Sequence, residues 1–452
     1  MIFSELMTTK MQISFLLAAG LLLSGCDKLS DQRDHGWTSP IVVTSSKDSL
    51  VGGVNPYKWH NAIIVLQGLD DGTARCFLMN RDSNSWSEVH ITGVPQGYFW
   101  ANPAVDQAND RIFFEQGYME NEHLVMDILI GHMIVAGSIT VQNAEKETWI
   151  TDKKSIFGDT PPSVKLNDHP GKRNWPSLGS GLIEGSDMYI PYCINGITVT
   201  THSKDGPFNS GVFHSSDSGK TWRMEKISDR GVEGIYLRKT SGYYYYFGGI
   251  YPLWFTRKAA DAGKWEEPKT ITKTLSMYGD FDVASDGDTV HLCWMDRRHN
   301  KWRFNIDAPP IENDDIVYCH RKDSDSRWSK NIDLSKGVLY CYAPSISVEG
   351  NNVVVAWAGI QNAGKYHTDY NPNDIYYVIS KDGGNTWTKP LKVIDGAKDG
   401  MTAGHPQVML LNGVIHLFYI QGKMNLQQLS PGLTKLNQPP WPIYYTQRPF
   451  PD

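Results

Sequence analysis

The stretch HSSDSGKTW at residues 214–222 is spelled almost identically in VISKDGGNTW at residues 378–387. Both contain Ser-x-Asp-x-Gly-x-Thr-Trp, and the spelling has a mechanical meaning. Asp217 and Asp382 can accept backbone N–H bonds across their own turns, as Asx turns do. Gly219 and Gly384 supply the positive φ of a tight hairpin, and Trp222 and Trp387 open the next strand with a large face to pack. None of this needs a substrate, so these residues read as structural. The motif instead serves as a ruler: strand, Asp/Gly turn, Trp, strand. Looser copies occur at NRDSNSW (80–86), NAEKETW (143–149), DAGKW (261–265) and RKDSDSRW (321–328).

Around each copy lie short runs in alternating or wholly apolar pattern, which predict strands. APSISV, NNVVVAWAG, DIYYVIS and TWTKPLKV (343–394) make four in a row, and the same order recurs over 281–332, 233–272 and 180–227. Residues 102–152 fit more loosely, and NAIIVLQG, TARCFLMN and SWSEVHI (61–91) supply three strands of the first unit. The last unit, 405–447, is one strand short, and PIVVTS (40–45) could complete it by closing a ring. Four-stranded antiparallel units repeated radially make a β-propeller, which leaves only short protected edges. The expectation is all-β with seven blades, or six if 97–155 is an elaboration. The propeller would occupy 37–452 as a single domain, after a linker at 27–36.

With 43 Lys and Arg against 49 Asp and Glu, the net charge is -6 and no basic block stands out. No nucleic-acid partner is expected. Near the N-terminus, Lys10 precedes the apolar run ISFLLAAGLLLSG, long enough for a signal-peptide core and short for a membrane span. Leu23-Ser24-Gly25-Cys26 resembles the bacterial lipobox, which implies a signal peptide at 1–26 and lipidation of Cys26. The expected location is the cell envelope, with a lipid anchor as the sole membrane contact. The other five cysteines are widely spaced and lack a CxxC pair, so neither a disulfide framework nor a zinc site is predicted. No cofactor or catalytic metal is predicted; a structural calcium ion stays open.

The repeats resemble the Asp-box (BNR) repeats of the sialidase-like propellers over most of the chain. WANPAVDQANDRIFF (100–114) and GSGLIEGSDMYIPY (179–192) are similar to the second and third blades of that family. The resemblance puts Glu233, in GVEGIYL, where sialidases carry the glutamate that activates their tyrosine nucleophile. It also implies an arginine triad on the substrate carboxylate, and this sequence departs there. KWHNAII (58–64) has no arginine, none follows GYYYYFGG, and Asn373 and Asp374 stand at the third place. Seven units are similar to the seven-bladed relatives, ulvan lyases among them. Their motif resembling Asp-His-x-x-Pro would fall at YFWANP (98–103), where Trp100 stands in place of the histidine, so its chemistry is not matched.

Propeller geometry sends the starts of inner strands, and the loops between second and third strands, toward one central funnel. That predicts catalytic candidates in Glu233, Arg298, His405, His60 and Asp280. Predicted substrate contacts are Asn102, Trp175, Tyr192, Tyr251, Asp296, Arg297, Tyr342 and Trp357. Carboxylates, imidazoles, an arginine fork and aromatic faces together suit a polar, ring-shaped ligand. The expected function is a carbohydrate-active enzyme, hydrolase or polysaccharide lyase, working as a monomer on an oligosaccharide or polysaccharide that is acidic or decorated. The alternative is a glycan-binding or envelope-assembly lipoprotein without catalysis.

Overall fold

The computed structural model describes residues 36–44, most of 50–141, 172–198, most of 209–274, 281–299, 314–360, 374–396, 401–423 and 442–451. Among them are 29 β-strands and no helix. Seven blades can be counted in the described residues. Their first strands are Leu50–Trp59, Tyr98–Asp106, Lys172–Leu178 (continued by Leu182–Glu184), Gly234–Lys239, Phe281–Asp286, Leu339–Glu349 and Met401–Leu411. Each of these strands touches the first strand of the blade before and the blade after, and the seventh touches the first. The first strands therefore form a closed inner ring.

Blade 7 is split, as the missing strand implied. Its outermost strand is Ile41–Val42, which pairs antiparallel with Ile443–Pro449 through Ile41 with Tyr445 and Val42 with Tyr444. The pairing joins the two ends of the propeller. The stretch 97–155 supplies a true blade and not an elaboration: Tyr98–Asp106, Arg111–Glu120, His123–Ile134 and Ser138–Val141. Its fourth strand lies upstream of ETWITD (147–152), which falls outside the described residues. The outer strands of blades 1 and 2 pair in parallel, His90 with Ser138 through Thr92 with Thr140, so both blades form one eight-stranded sheet.

The repeated boxes sit at the turns between third and fourth strands. Asp382 Oδ1 accepts hydrogen bonds from Ser380 Oγ at 2.7 Å and the Thr386 amide at 2.9 Å, and Oδ2 accepts from Thr386 Oγ1 at 2.7 Å. These donors hold its carboxyl down at about 2. Asp217 closes its turn in the same way, with Ser215 and Thr221. Gly384 has φ +89°, and a Cβ there would stand 1.8 Å from the Tyr318 hydroxyl of blade 5. Gly219 and Trp222 lie outside the described residues.

The described box tryptophans wedge their blades against the one before. Trp387 meets Tyr318 edge-on at 4.7 Å, and Trp328 meets Phe255 at 5.2 Å. Trp86 of blade 1 reaches back to Phe418 and Tyr445 of blade 7 at 5.7 and 5.3 Å. Trp265 of blade 4 donates its indole N–H to Glu225 of blade 3. Trp37, just before the closing strand, meets Tyr377 of blade 6 at 5.3 Å. The split blade thus keeps the same wedge. Cys76, Cys293, Cys319 and Cys341 are buried free thiols among these packed strands.

Candidate functional site

The inner strands are edges facing the channel, so a proline there removes no ladder bond. Pro56, Pro103, Pro176, Pro344 and Pro406 all lie on inner strands, and all but Pro176 adjoin a slip in register. Register slips between Val51 and Asn55, between Trp100 and Ala104, on both sides of Tyr342, and between Gly404 and Gln407. Such bulges redirect side chains. They make the residue before each proline so placed a candidate channel residue, a signal present in the sequence and not used above.

One end of each inner strand leads into the hairpin to the second strand; the other end begins the blade. Near the hairpin end lies a polar floor. Tyr57 of blade 1 hydrogen-bonds Ser180 of blade 3 and feels the charge of Arg238 on blade 4. A side chain that joins blade 1 to blade 3 must pass the inner edge of blade 2, so Tyr57 crosses the channel. Burial raises its phenol above the ordinary tyrosine range. Arg238 donates from Nε to Val283 O at 2.6 Å and from Nη1 to Leu237 O at 3.0 Å, and stands 5.0 Å from the Tyr236 ring. Its Nη2 is 3.9 Å from Asp282 Oδ1.

Asp282 stitches blade 5 to blade 6. Its Oδ2 accepts from the Ile346 amide at 2.9 Å and from Ser345 Oγ at 3.2 Å, and its Oδ1 accepts from the Val283 amide at 2.8 Å. Burial pushes its pKa up, against the pull of Arg238 and these donors. Ser345 Oγ in turn accepts from the Val408 amide of blade 7 at 3.1 Å. The floor is therefore rigid and hydrogen-bonded from blade to blade.

Nearer the strand starts, blades 6 and 7 place Tyr342 and His405 together, ring centroids 6.1 Å apart. His405 has φ +47°, and Tyr340 and Ala343 on the adjacent strand have +52° and +49°. Left-handed backbone at non-glycine residues costs energy and marks sites where a side chain must be aimed. Gly404 makes the approach possible, since a Cβ there would sit 3.0 Å from the Tyr342 hydroxyl. The His405 side chain is exposed to solvent while standing among protein atoms, as a group in a depression does. Lost hydration lowers its pKa, which favours the neutral imidazole, able to accept a proton.

The predicted residues fall into four groups. His405 and Tyr342 stand side by side on the inner strands of blades 7 and 6. Glu233, Asp280, Tyr251 and Cys26 lie outside the described residues, whereas Asn102 and Trp175 lie on inner strands with no side-chain description. Others move out of the funnel. His60 ends its inner strand instead of starting it: it occupies the hairpin turn after Trp59, at the opposite face, and bonds Asp110 at 2.8 Å. Tyr192 and Trp357 are buried second-strand residues, packed on Phe213 at 4.6 Å and Tyr376 at 6.3 Å.

The fourth group is an ion-pair cluster at the end of the second strand of blade 5. Asp296 is fully buried and accepts bonds from the Arg298 amide, Arg298 Nε and Nη2, Trp294 Nε1 and Thr274 Oγ1. Two residues apart across a turn, the guanidinium fork folds back onto the carboxylate. Those donors lower the Asp296 pKa against the effect of its burial, and the pair is occupied with itself. Arg297, also buried, stands 3.6 Å from Asp314. Tyr57, Ser180 and Arg238, absent from the predicted site, lie instead near the hairpin ends of the inner strands.

Among the described residues no group of three or more His, Cys, Asp or Glu side chains could hold a metal ion. No family model matches the chain, and no curated protein matches it in sequence. Its fold is similar to that of an ulvan lyase solved bound to -[GlcA(1-4)Rha3S]-, at 10% identity and a TM-score of 0.51, covering 85% of this chain and 94% of that one. Another polysaccharide lyase gives 10% identity and 0.48 over 94% of both chains. A mutant Trypanosoma rangeli sialidase with trans-sialidase activity gives 9% and 0.44, over 92% of this chain and 60% of that one. The fold of this chain is a seven-bladed β-propeller, shared with the ulvan lyase at a tenth of identical residues.

Proposed function

We propose that this chain is an envelope-anchored carbohydrate-active enzyme, lipidated on Cys26, that processes an acidic or decorated glycan in the central funnel. The observation that carries the reading is the Tyr342–His405 pair. A neutral imidazole is aimed from strained backbone into a depression beside a phenol, on a rigid scaffold. Such a pair suits proton transfer.

Two reaction classes use a funnel of this kind. A hydrolase needs two carboxylates flanking the bond. Asp282 is the carboxylate that the described floor offers, and three donors hold it in the wall. Elimination needs a base and a proton donor, and the described funnel contains both. We therefore favour the lyase. His405 takes the proton from the carbon next to a uronate carboxylate, the electron pair forms the ring double bond, and the glycosidic oxygen leaves. The Tyr342 hydroxyl protonates that oxygen. The ulvan lyase of similar fold is a propeller with an acidic glycan bound, which supports the same assignment here.

The test is digestion of uronate-containing and neutral polysaccharides by the full-length protein in detergent. Ultraviolet absorbance from unsaturated chain ends is the expected result. New reducing ends without that absorbance would assign hydrolysis. Glycan affinity with no turnover, unaltered in His405→Ala, would assign a binding lipoprotein.

A further inference from the structure

We propose that Arg238 holds the anionic group of a sugar, a carboxylate or a sulfate ester, at the floor of the funnel. The inference rests on the glycan reading above and names the part of the ligand that the floor grips. Arg238 is oriented before any ligand arrives. Nε and Nη1 are bound to the carbonyls of Val283 and Leu237, and the Tyr236 ring lies 5.0 Å from the guanidinium carbon. Nη2 has no hydrogen-bond partner among the described residues. The nearest acidic oxygen, Asp282 Oδ1 at 3.9 Å, is beyond hydrogen-bond reach.

Asp282 does not close that gap, because its oxygens are held by Val283, Ile346 and Ser345. The charge of Arg238 also reaches Tyr57, the side chain that crosses the channel. An incoming anion would meet a fixed cation, a free N–H edge and a phenol on the far side. A fork with one edge pinned to backbone loses little freedom on binding, and charge-assisted bonds from it are strong.

Among the described residues, the charged or titratable groups that act on Asp282 are Arg238 and the buried Cys293 thiol. Cys293 is held neutral by burial. Burial also raises the Asp282 pKa, so lowering the pH removes the negative charge beside Arg238. Anion affinity should therefore rise as pH falls through the Asp282 titration.

The experiment titrates the full-length protein in detergent with methyl glucuronide, glucose 6-sulfate and the neutral methyl glucoside. We expect the acidic probes to bind about tenfold or more tighter than the neutral one. Whichever acidic probe binds tighter identifies the carboxylate or the sulfate as the anion. Arg238→Lys keeps the charge but loses the fork, and should cost about tenfold for the acidic probes with no change for the neutral one. Asp282→Asn should tighten acidic binding at neutral pH and flatten its pH dependence. Equal binding of acidic and neutral probes overturns the inference and leaves the glycan reading standing. So does an Arg238→Lys protein of native fold with unchanged affinities. Failure of all three probes to bind overturns both.

Discussion

At the scale of the residue, two kinds of left-handed backbone serve different ends. Gly384 at φ +89° allows close packing, because the Tyr318 hydroxyl fills the space a side chain would need. His405 at φ +47° has a full side chain where glycine would be cheaper. The strain has a use if the imidazole is needed. His405→Gly should therefore hold or raise the melting temperature while lowering turnover by about a hundredfold or more. A parallel loss of both would assign His405 to structure alone. The base acts as neutral imidazole, and its pKa is depressed below 6.5. The acid limb of the pH–rate profile should accordingly fall below pH 6.5, which a profile of kcat/KM against pH would check.

At the scale of the element, the blade is a four-stranded sheet whose outer turn carries a wedge for its neighbour. Trp328 packs on Phe247 and Phe255 of the preceding blade, at 6.0 and 5.2 Å. Trp328 is half-buried, so its truncation should cost about 2–3 kcal/mol, below the value for a fully buried aromatic. Trp328→Ala should lower the unfolding free energy by that order without changing glycan affinity, as denaturant titration and a binding isotherm would show. The degenerate box around it also works differently from the clear ones. Asp323 accepts from Thr240 Oγ1 at 2.7 Å and the Gly242 amide at 2.9 Å, so it caps the first hairpin of blade 4. With Asp325 where the clear boxes have glycine, the aspartate turns outward to its neighbour.

At the scale of the whole molecule, the ring is closed by little more than two strand residues. Ile41 and Val42 pair with Tyr445 and Tyr444, and the Val43 amide donates to Ile443 O at 2.8 Å. Trp37 and Thr38 add an aromatic wedge and hydrogen bonds to the same blade region. Deleting residues 37–45 should broaden and lower the thermal transition far more than a surface deletion of equal length. A sharp transition at the original temperature would show that the ring closes without this strand. Tyr57 acts at the same scale, because a side chain reaching from blade 1 to blade 3 exists as a feature only once the ring is closed.

The sequence by itself determined the blade. Strand period, Asp/Gly turns and box tryptophans are local signals, and they counted seven units and found the strand borrowed from the N-terminus, but they missed the inner strand Leu50–Trp59 of the first blade. It also offered His405 and Tyr342 as candidates, because the start of an inner strand is expected to face the funnel, and the structure sets the two side by side. It misplaced His60 because the inner strand Leu50–Trp59, broken by two glycines and a proline, does not read as a strand, so the second strand Ala62–Leu69 passes for the first and His60 for its start. It selected Arg298 by residue type, and only the fold shows that fork turned back on Asp296. Tyr57, Ser180, Arg238 and Asp282 stand on four different blades, with Tyr57 and Asp282 225 positions apart. No local pattern can encode such a distance. Closure of the ring brings them to one floor, and that was decided by tertiary structure alone.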